Sequence, residues 1–252
     1  MVHGGDSVLR RMLLAASDSD RLRQLLVSAP LTRSVVARYV AGDVAADAVA
    51  VAAQLVEAGL LVALDHLGED TSDARQAAAV GDEYVALLAL LKDRGLTWDG
   101  RAEVSVKPTA VGLGLAEHGE KTAAENIARI CTAAREAGTT VTVDMEDHTH
   151  VDATLRIVRT LRDDYPDLGC VIQSQLRRST DDCADLAVPG SRVRLCKGAY
   201  DAPPDVAFAT LVSDANAARS DAEHLATLVT FIQSFGDVRA TDELIALLGS
   251  AS

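Results

Sequence analysis

Side chains able to do acid, base or charge chemistry stand where short apolar runs stop: Asp65 and Glu69, Lys107, Asp144 and Glu146, Gln173 and Gln175, and Arg194 with Lys197. The run Val193-Arg194-Leu195-Cys196-Lys197-Gly198-Ala199-Tyr200 is the richest of them. It reads as a short strand that delivers one cation in its middle and a second at its end. A cation carried into an apolar interior must find a partner, since leaving it unpaired costs several kcal/mol or more. Two cations at one strand end therefore point to an anion or an electron-rich ligand. Gly198 and Ala199 leave the backbone bare enough for a flat or phosphorylated molecule to approach. The plainer reading is a strand whose Arg194 pairs with a neighbouring Asp or Glu and whose Lys197 faces water.

Other chemistries can be weighed on the same residues. Asp144, Glu146, Asp147, His148 and His150 crowd together in sequence, yet a metal needs ligands that converge in space. A solvated loop with a helix cap at Thr149 or Asp152 is the expected arrangement there, and no metal is assigned. A desolvated Lys107 or Lys197 is the candidate Schiff-base amine of an aldolase-like enzyme. Cys131, Cys170, Cys183 and Cys196 show no CxxC spacing, and two of them fall in expected strands, so reduced structural thiols are expected.

The elements that must position these groups follow from hydrophobic period. Strands are expected at Leu60–Leu64, Ala102–Lys107, Thr140–Met145, Cys170–Ser174 and Val193–Cys196, with helices between them at Ser72–Lys92, Thr122–Glu136, Val151–Leu161 and Ser179–Leu186. Alternating units of this kind imply a parallel sheet, because parallel neighbours need crossover connections. No GxGxxG or GxxxxGK[ST] follows any strand, which disfavours the open nucleotide-binding sheets. Polar residues gathered at C-terminal strand ends favour a (β/α)8-type, TIM-like barrel, of which about five strands are recognisable.

Ahead of the barrel portion, a helical segment is expected over residues 1–58: a start at Ser17-Asp18-Ser19-Asp20, a turn or two over Thr32–Val40, and Val44–Ala58 capped by Asp43 or a neighbour. The barrel portion spans 59–208. A divergent helical tail covers 209–252, with Asp205–Arg219 and Thr241–Leu248 read as helices and His224–Phe235 as helix or strand.

Composition limits the partners. The net charge of -13 argues against nucleic acid, whose phosphates would be repelled over most of the surface. Aromatic residues make up only 3% of a chain that is 48% hydrophobic, so Ala, Val and Leu must build the core, and Trp98 is expected to pack. The absence of a basic leader or a long apolar run leads to the expectation of a cytoplasmic protein.

Gathered around one pocket, Lys107, Asp144, Gln173, Arg194 and Lys197 suit a small amino or hydroxy acid beside a polar aromatic cofactor. At this point the sequence resembles the proline dehydrogenase family. The resemblance rests on Leu64-Asp65-His66-Leu67-Gly68-Glu69, Val104 to Gly112, Val143 to Asp147, Val171 to Gln175 and Val193 to Tyr200, in the family's order. It implies FAD-dependent oxidation of proline to 1-pyrroline-5-carboxylate, with electrons passing to a quinone and peripheral contact at the inner membrane. Lys107 is similar to the family's substrate-carboxylate lysine, Asp144 to the acid that orders the pocket, and Arg194 to the arginine beside the flavin N5. Met145 through its backbone, Gln173, Lys197, Gly198 and Ala199 are implied as FAD contacts. Two departures stand out: Gln175 replaces the family's usual tyrosine, and after Phe208 the motifs of the last three strands and the paired arginines of the final helix find no match. A barrel portion without catalysis, or one completed by a partner subunit, is the alternative that these departures raise.

Overall fold

Five parallel strands form one sheet in the order β1-β2-β3-β4-β5, which is also their order along the chain. The structure is a computed structural model and describes residues 40–42, 44–68, 71–198, 200, 202–208, 210–212 and 237–239. It divides into a unit from Ala41 to Phe208 and a second unit formed by Met1–Val40 with Ala209–Ser252.

The larger unit opens with α1 (Ala45–Glu57), whose apolar stripe Val49, Ala52 and Val56 is buried. Val44 stands at its N-cap in extended conformation without a side-chain hydrogen bond, so the cap expected from Asp43 or a neighbour is not made by Val44. Then follow β1 (Val62–Asp65), α2 (Ala74–Asp93), β2 (Ala102–Val106), α3 (Gly119–Ala137), β3 (Val141–Val143), α4 (Val151–Arg162), β4 (Gly169–Gln173), α5 (Ser179–Leu186) and β5 (Arg192–Cys196). Each strand and helix lies within a few residues of the span that periodicity predicts.

Strand order fixes the architecture. Crossovers between parallel neighbours are right-handed in nearly every known case, so an order that never reverses puts every connecting helix on the same face. The side chains agree. Leu64, Val104, Val106, Val141, Val143, Cys170 and Ile172 alternate along their strands and are buried on the helix side with Tyr84, Leu88, Ile127, Ile130, Leu155 and Val158. Residues of the opposite parity, Asp65, Glu103, Ser105, Thr142, Asp144, Arg192 and Arg194, share the other face through the register Asp65↔Ser105, Ser105↔Thr142, Thr142↔Gly169, Gly169↔Arg192 and Val171↔Arg194. Helices outside and polar side chains inside is the arrangement of a (β/α) barrel wall. Among the described residues the wall does not close: within this sheet β1 pairs only with β2, and β5 only with β4. On β5, Val193 is 42% and Leu195 63% exposed, in contrast to the buried side chains of β4.

The inner face is built in tiers. Low in the sheet, the Glu103 carboxylate accepts hydrogen bonds from Thr140 Oγ1 at 2.7 Å and Thr142 Oγ1 at 3.1 Å and pairs with Arg192 at 2.5 Å. Gly169 lies in the same tier, where a Cβ would meet Thr142 Oγ1 at 2.6 Å. The upper tier is the candidate site.

Three local expectations are corrected. Trp98 is 72% exposed with the Arg101 guanidinium 5.7 Å from its ring, so it is no packing residue. The loop after β3 is capped by Asp147, whose carboxylate accepts from Thr149 N at 2.9 Å and Thr149 Oγ1 at 2.7 Å, rather than by Thr149 or Asp152. In place of a helix from Asp205, residues 204–206 form a turn; Pro203 and Pro204 set it up, and Val206 N and Ala207 N bond back to Pro203 O at 2.9 and 3.0 Å.

The second unit contains β6 (Thr210–Val212), parallel to β7 (Asp237–Arg239), so Thr210–Val212 also departs from the expected helix. The expected helix start at Ser17–Asp20, the helical turns over 32–39, and the elements His224–Phe235 and Thr241–Leu248 fall outside the described residues.

Candidate active site

The upper tier of the inner face begins with Ser105 on β2. Its Oγ donates to Asp144 Oδ1 at 2.7 Å and accepts from Arg194 Nη2 at 3.1 Å. Arg194 also pairs directly with the same carboxylate oxygen of Asp144. One residue past β2, Lys107 pairs with Asp65 at the end of β1. Four chain segments thus contribute Asp65, Ser105 with Lys107, Asp144 and Arg194 to one polar row. Parallel pairing in register is the cause, since paired residues of neighbouring strands point to the same side.

Exposure grades across the row. The side chains of Lys107 and Asp144 are 16% and 17% exposed, whereas Asp65 is 28% and Arg194 41% exposed. Burial pushes the Asp144 carboxyl above its ordinary range, and the Ser105 hydrogen bond and the Arg194 charge oppose that shift without cancelling it. The plainer expectation for Arg194, a pair with a neighbouring carboxylate, is realised, and its partner is the acid of the candidate site itself.

Two buried fastenings hold the loops that frame the row. Glu146, 2% exposed, accepts from Thr109 N at 2.9 Å and Thr109 Oγ1 at 2.6 Å, tying the turn after Lys107 to the tip of β3. On its other side, Thr71 Oγ1 donates to Thr109 O at 3.1 Å. Gln173 Nε2 donates to Met145 O at 3.1 Å, and Gln173 O accepts from Ser179 Oγ at 2.5 Å, so the ends of β3, β4 and the start of α5 are linked. These charge-assisted and buried bonds fix backbone position as well as side chains.

The turn after β5 lies beside that link. Gly198 adopts φ +85, a left-handed conformation natural to glycine, and a Cβ there would overlap the amide of Gln175. Gln175 is 8% exposed, and its Oε1 has no hydrogen-bond partner among the described residues. Ser174 N bonds Cys196 O at 2.6 Å, Phe208 N bonds Gln175 O at 2.8 Å, and Arg177 N bonds Val206 O at 2.9 Å, which brings the returning chain along the β4 end. Lys197 is exposed, and Ala199 falls outside the described residues.

Of the residues singled out from sequence, Lys107, Asp144 and Arg194 share one row; Met145, just past β3, is tied through its carbonyl to Gln173 at the end of β4, and Gly198 lies in the turn after β5 against Gln175. Ser105, Tyr84 and Thr109 join them without having been singled out. Ser105 is legible from strand parity alone, two residues before Lys107. Tyr84 and Thr109 carry no such signal, because their partners are 18 to 38 positions away. Among the described residues, no group of three or more His, Cys, Asp or Glu side chains is placed to hold a metal.

Comparison with known proteins agrees with the barrel fold. A family model described as proline dehydrogenase matches residues 48–202, more than half of the chain. Proline dehydrogenase 1 of Bacillus subtilis is 32% identical over 201 residues, covering 80% of this chain and 64% of that protein. The proline dehydrogenase of Deinococcus radiodurans is 32% identical over 205 residues, covering 81% of this chain and 64% of that one. The chain therefore spans just under two thirds of the length of these relatives. The crystal structure of proline utilization A from Bdellovibrio bacteriovorus superposes with a TM-score of 0.57 at 22% identity, over 78% of this chain and 23% of that one, a likeness of fold. With the matched segment running from α1 through all five strands of the wall, the chain belongs to the proline dehydrogenase family.

Proposed function

We propose that this chain carries the FAD-dependent oxidation of L-proline to 1-pyrroline-5-carboxylate. The observation that supports the reading best is the row itself: two cations and two carboxylates, Lys107 with Asp65 and Arg194 with Asp144, bridged to one inner tier by Ser105. In this reading Lys107 takes the substrate carboxylate on a second N–H of its ammonium while Asp65 keeps the first. Asp144 holds Arg194 and Ser105 in place and orders the pocket beside the ring of proline. Arg194, anchored at one end by Asp144, presents positive charge where negative charge builds up in the reaction.

The β4 and β5 ends suit a flavin. Gln175 Oε1 is a buried acceptor without a donor among the described residues, and the absence of a side chain at Gly198 lets the Gln175 amide pack directly against the turn after β5. Gln173, the Met145 backbone, Lys197, Gly198 and Ala199 are the residues that would hold FAD. When bound, the flavin supplies the two-electron acceptor that protein side chains lack. The chain's own residues bind and orient proline and keep its carboxylate neutralised. Proline reacts with its amine unprotonated, so the site must accept the neutral amine beside Asp144.

Electrons are proposed to leave for a quinone, by peripheral contact of an otherwise cytoplasmic protein with the inner membrane. No helix among the described residues is long and apolar enough to cross a membrane. The Schiff-base alternative on Lys107 loses support because that amine is ion-paired with Asp65, whereas imine formation needs a free amine.

The test uses the full chain supplied with FAD. Flavin absorbance that co-purifies or is retained on reconstitution, and that bleaches anaerobically with L-proline, is the expected result. A protein that retains no flavin, or whose flavin L-proline leaves oxidised, would favour a barrel portion that needs a partner subunit or has no catalysis. A covalent adduct after borohydride treatment with a keto acid would instead favour the imine chemistry.

A further inference from the structure

We infer that Tyr84 is a positioning residue for the substrate carboxylate, acting on Lys107 through Asp65; the inference rests on the reading of the row as a proline site. Tyr84 stands on α2, with its side chain 1% exposed, and its hydroxyl reaches through to the ends of two strands. The phenol oxygen lies 3.1 Å from Asp65 Oδ1 and 2.8 Å from Ser105 O, and it accepts the backbone N–H of His66 at 3.1 Å. Asp65 uses its other oxygen, Oδ2, for Lys107. A single hydroxyl therefore fixes the carboxylate that holds Lys107 and the backbone of the residue whose side chain holds Asp144 and Arg194.

The chemistry of the group suits a permanent donor. Burial first, and the neighbouring Asp65 charge next, push the phenol above its ordinary pKa, so its proton stays in place throughout the working range. That proton faces two acceptors, the Asp65 carboxylate and the Ser105 carbonyl, and the His66 N–H fills the remaining side of the oxygen. Asp65 cannot turn toward solvent without losing this bond. Lys107, 16% exposed, is thereby kept at a defined height above the inner tier, where an incoming carboxylate takes another N–H of the same ammonium while Asp65 stays in place.

Tyr84→Phe keeps the ring that packs under the sheet and removes only the oxygen. Three measurements on the FAD-loaded full chain test the inference. Tyr84→Phe is expected to raise KM for L-proline roughly tenfold, the equivalent of about 1.4 kcal/mol, while kcat and flavin content change by less than about twofold. Pyrrolidine, which lacks the carboxylate, is expected to be bound equally by wild type and Tyr84→Phe. In a cycle with Asp65→Asn, which also raises KM, adding Tyr84→Phe is expected to change KM by less than about twofold, because the second substitution acts through a residue already altered.

An unchanged KM, an equal loss for pyrrolidine, or effects that multiply in the double variant would each overturn the inference. Should Tyr84→Phe fail to fold, Asp65→Asn alone decides: a KM for L-proline within about twofold of wild type would overturn it, because Asp65 is the link through which Tyr84 acts. A wild-type protein whose flavin is not reduced by L-proline overturns the proposed function and this inference together, an outcome distinct from an active enzyme with an indifferent Tyr84.

Discussion

At Asp144 two demands of the site conflict. The carboxylate holds Arg194 and Ser105, yet burial raises its pKa despite both partners. A folded-state pKa above the unfolded value means that the ionised form weakens the fold. The associated stability is fully present below the ordinary aspartate value and is lost as pH rises through the raised one. Asp144→Asn is therefore expected to have a higher Tm than wild type at pH 7. The gain should shrink as pH falls from the raised pKa toward the ordinary aspartate value, and be nearly absent below it. Arg194 loses its partner in this variant, but its side chain is 41% exposed and water can take over. Thermal melts from pH 3 to 8 check this; a wild type more stable than Asp144→Asn at pH 7 would refute it. The same substitution should depress turnover, since Arg194 loses its anchor.

Gly169 shows how an element depends on one missing side chain. It opens β4 on the inner face, paired with Thr142 of β3 and Arg192 of β5. A methyl group there would meet Thr142 Oγ1 at 2.6 Å, next to the half-buried Glu103 cluster. Gly169→Ala is expected to destabilise the protein by about 1 to 3 kcal/mol, the usual cost of overpacking. Adding Thr142→Ala should recover part of that loss, because the colliding hydroxyl is gone. Denaturant melts of both variants test the pair; an additive result would show that the strain is located elsewhere. Among the helices, boundaries are legible because apolar residues recur at helical spacing, whereas of the five only α2 has a side-chain cap, from Asp73. Thr210–Val212 reads as helix from sequence because a three-residue apolar strand lacks a period of its own. Its partner Asp237–Arg239 is far along the chain.

Across the whole molecule, burial sorts the cysteines. Cys131 and Cys170 are buried, and desolvation pushes both thiols up to about 12. Cys183 and Cys196 are partly exposed. Iodoacetamide applied to the native protein at pH 8 is expected to label Cys183 and Cys196 well before Cys131 and Cys170, with all four reacting after denaturation. Mass spectrometry of the peptides reads the order. Early modification of Cys170 would show that the layer between β4 and its covering helix opens readily.

Strand and helix positions, the parallel sheet, the barrel class and the strand-end residues Lys107, Asp144 and Arg194 are determined by the sequence, because each depends on short-range period or on where an apolar run stops. The partners of those residues are decided only by the tertiary structure. Lys107 faces Asp65 from 42 positions away, Arg194 faces Asp144 from 50, and Tyr84 reaches Ser105 from 21. Such pairings depend on strand register and on which helix covers which strand. The sheet establishes both by stacking residues of like parity on one face, a constraint that exists in three dimensions and leaves no periodic trace along the chain.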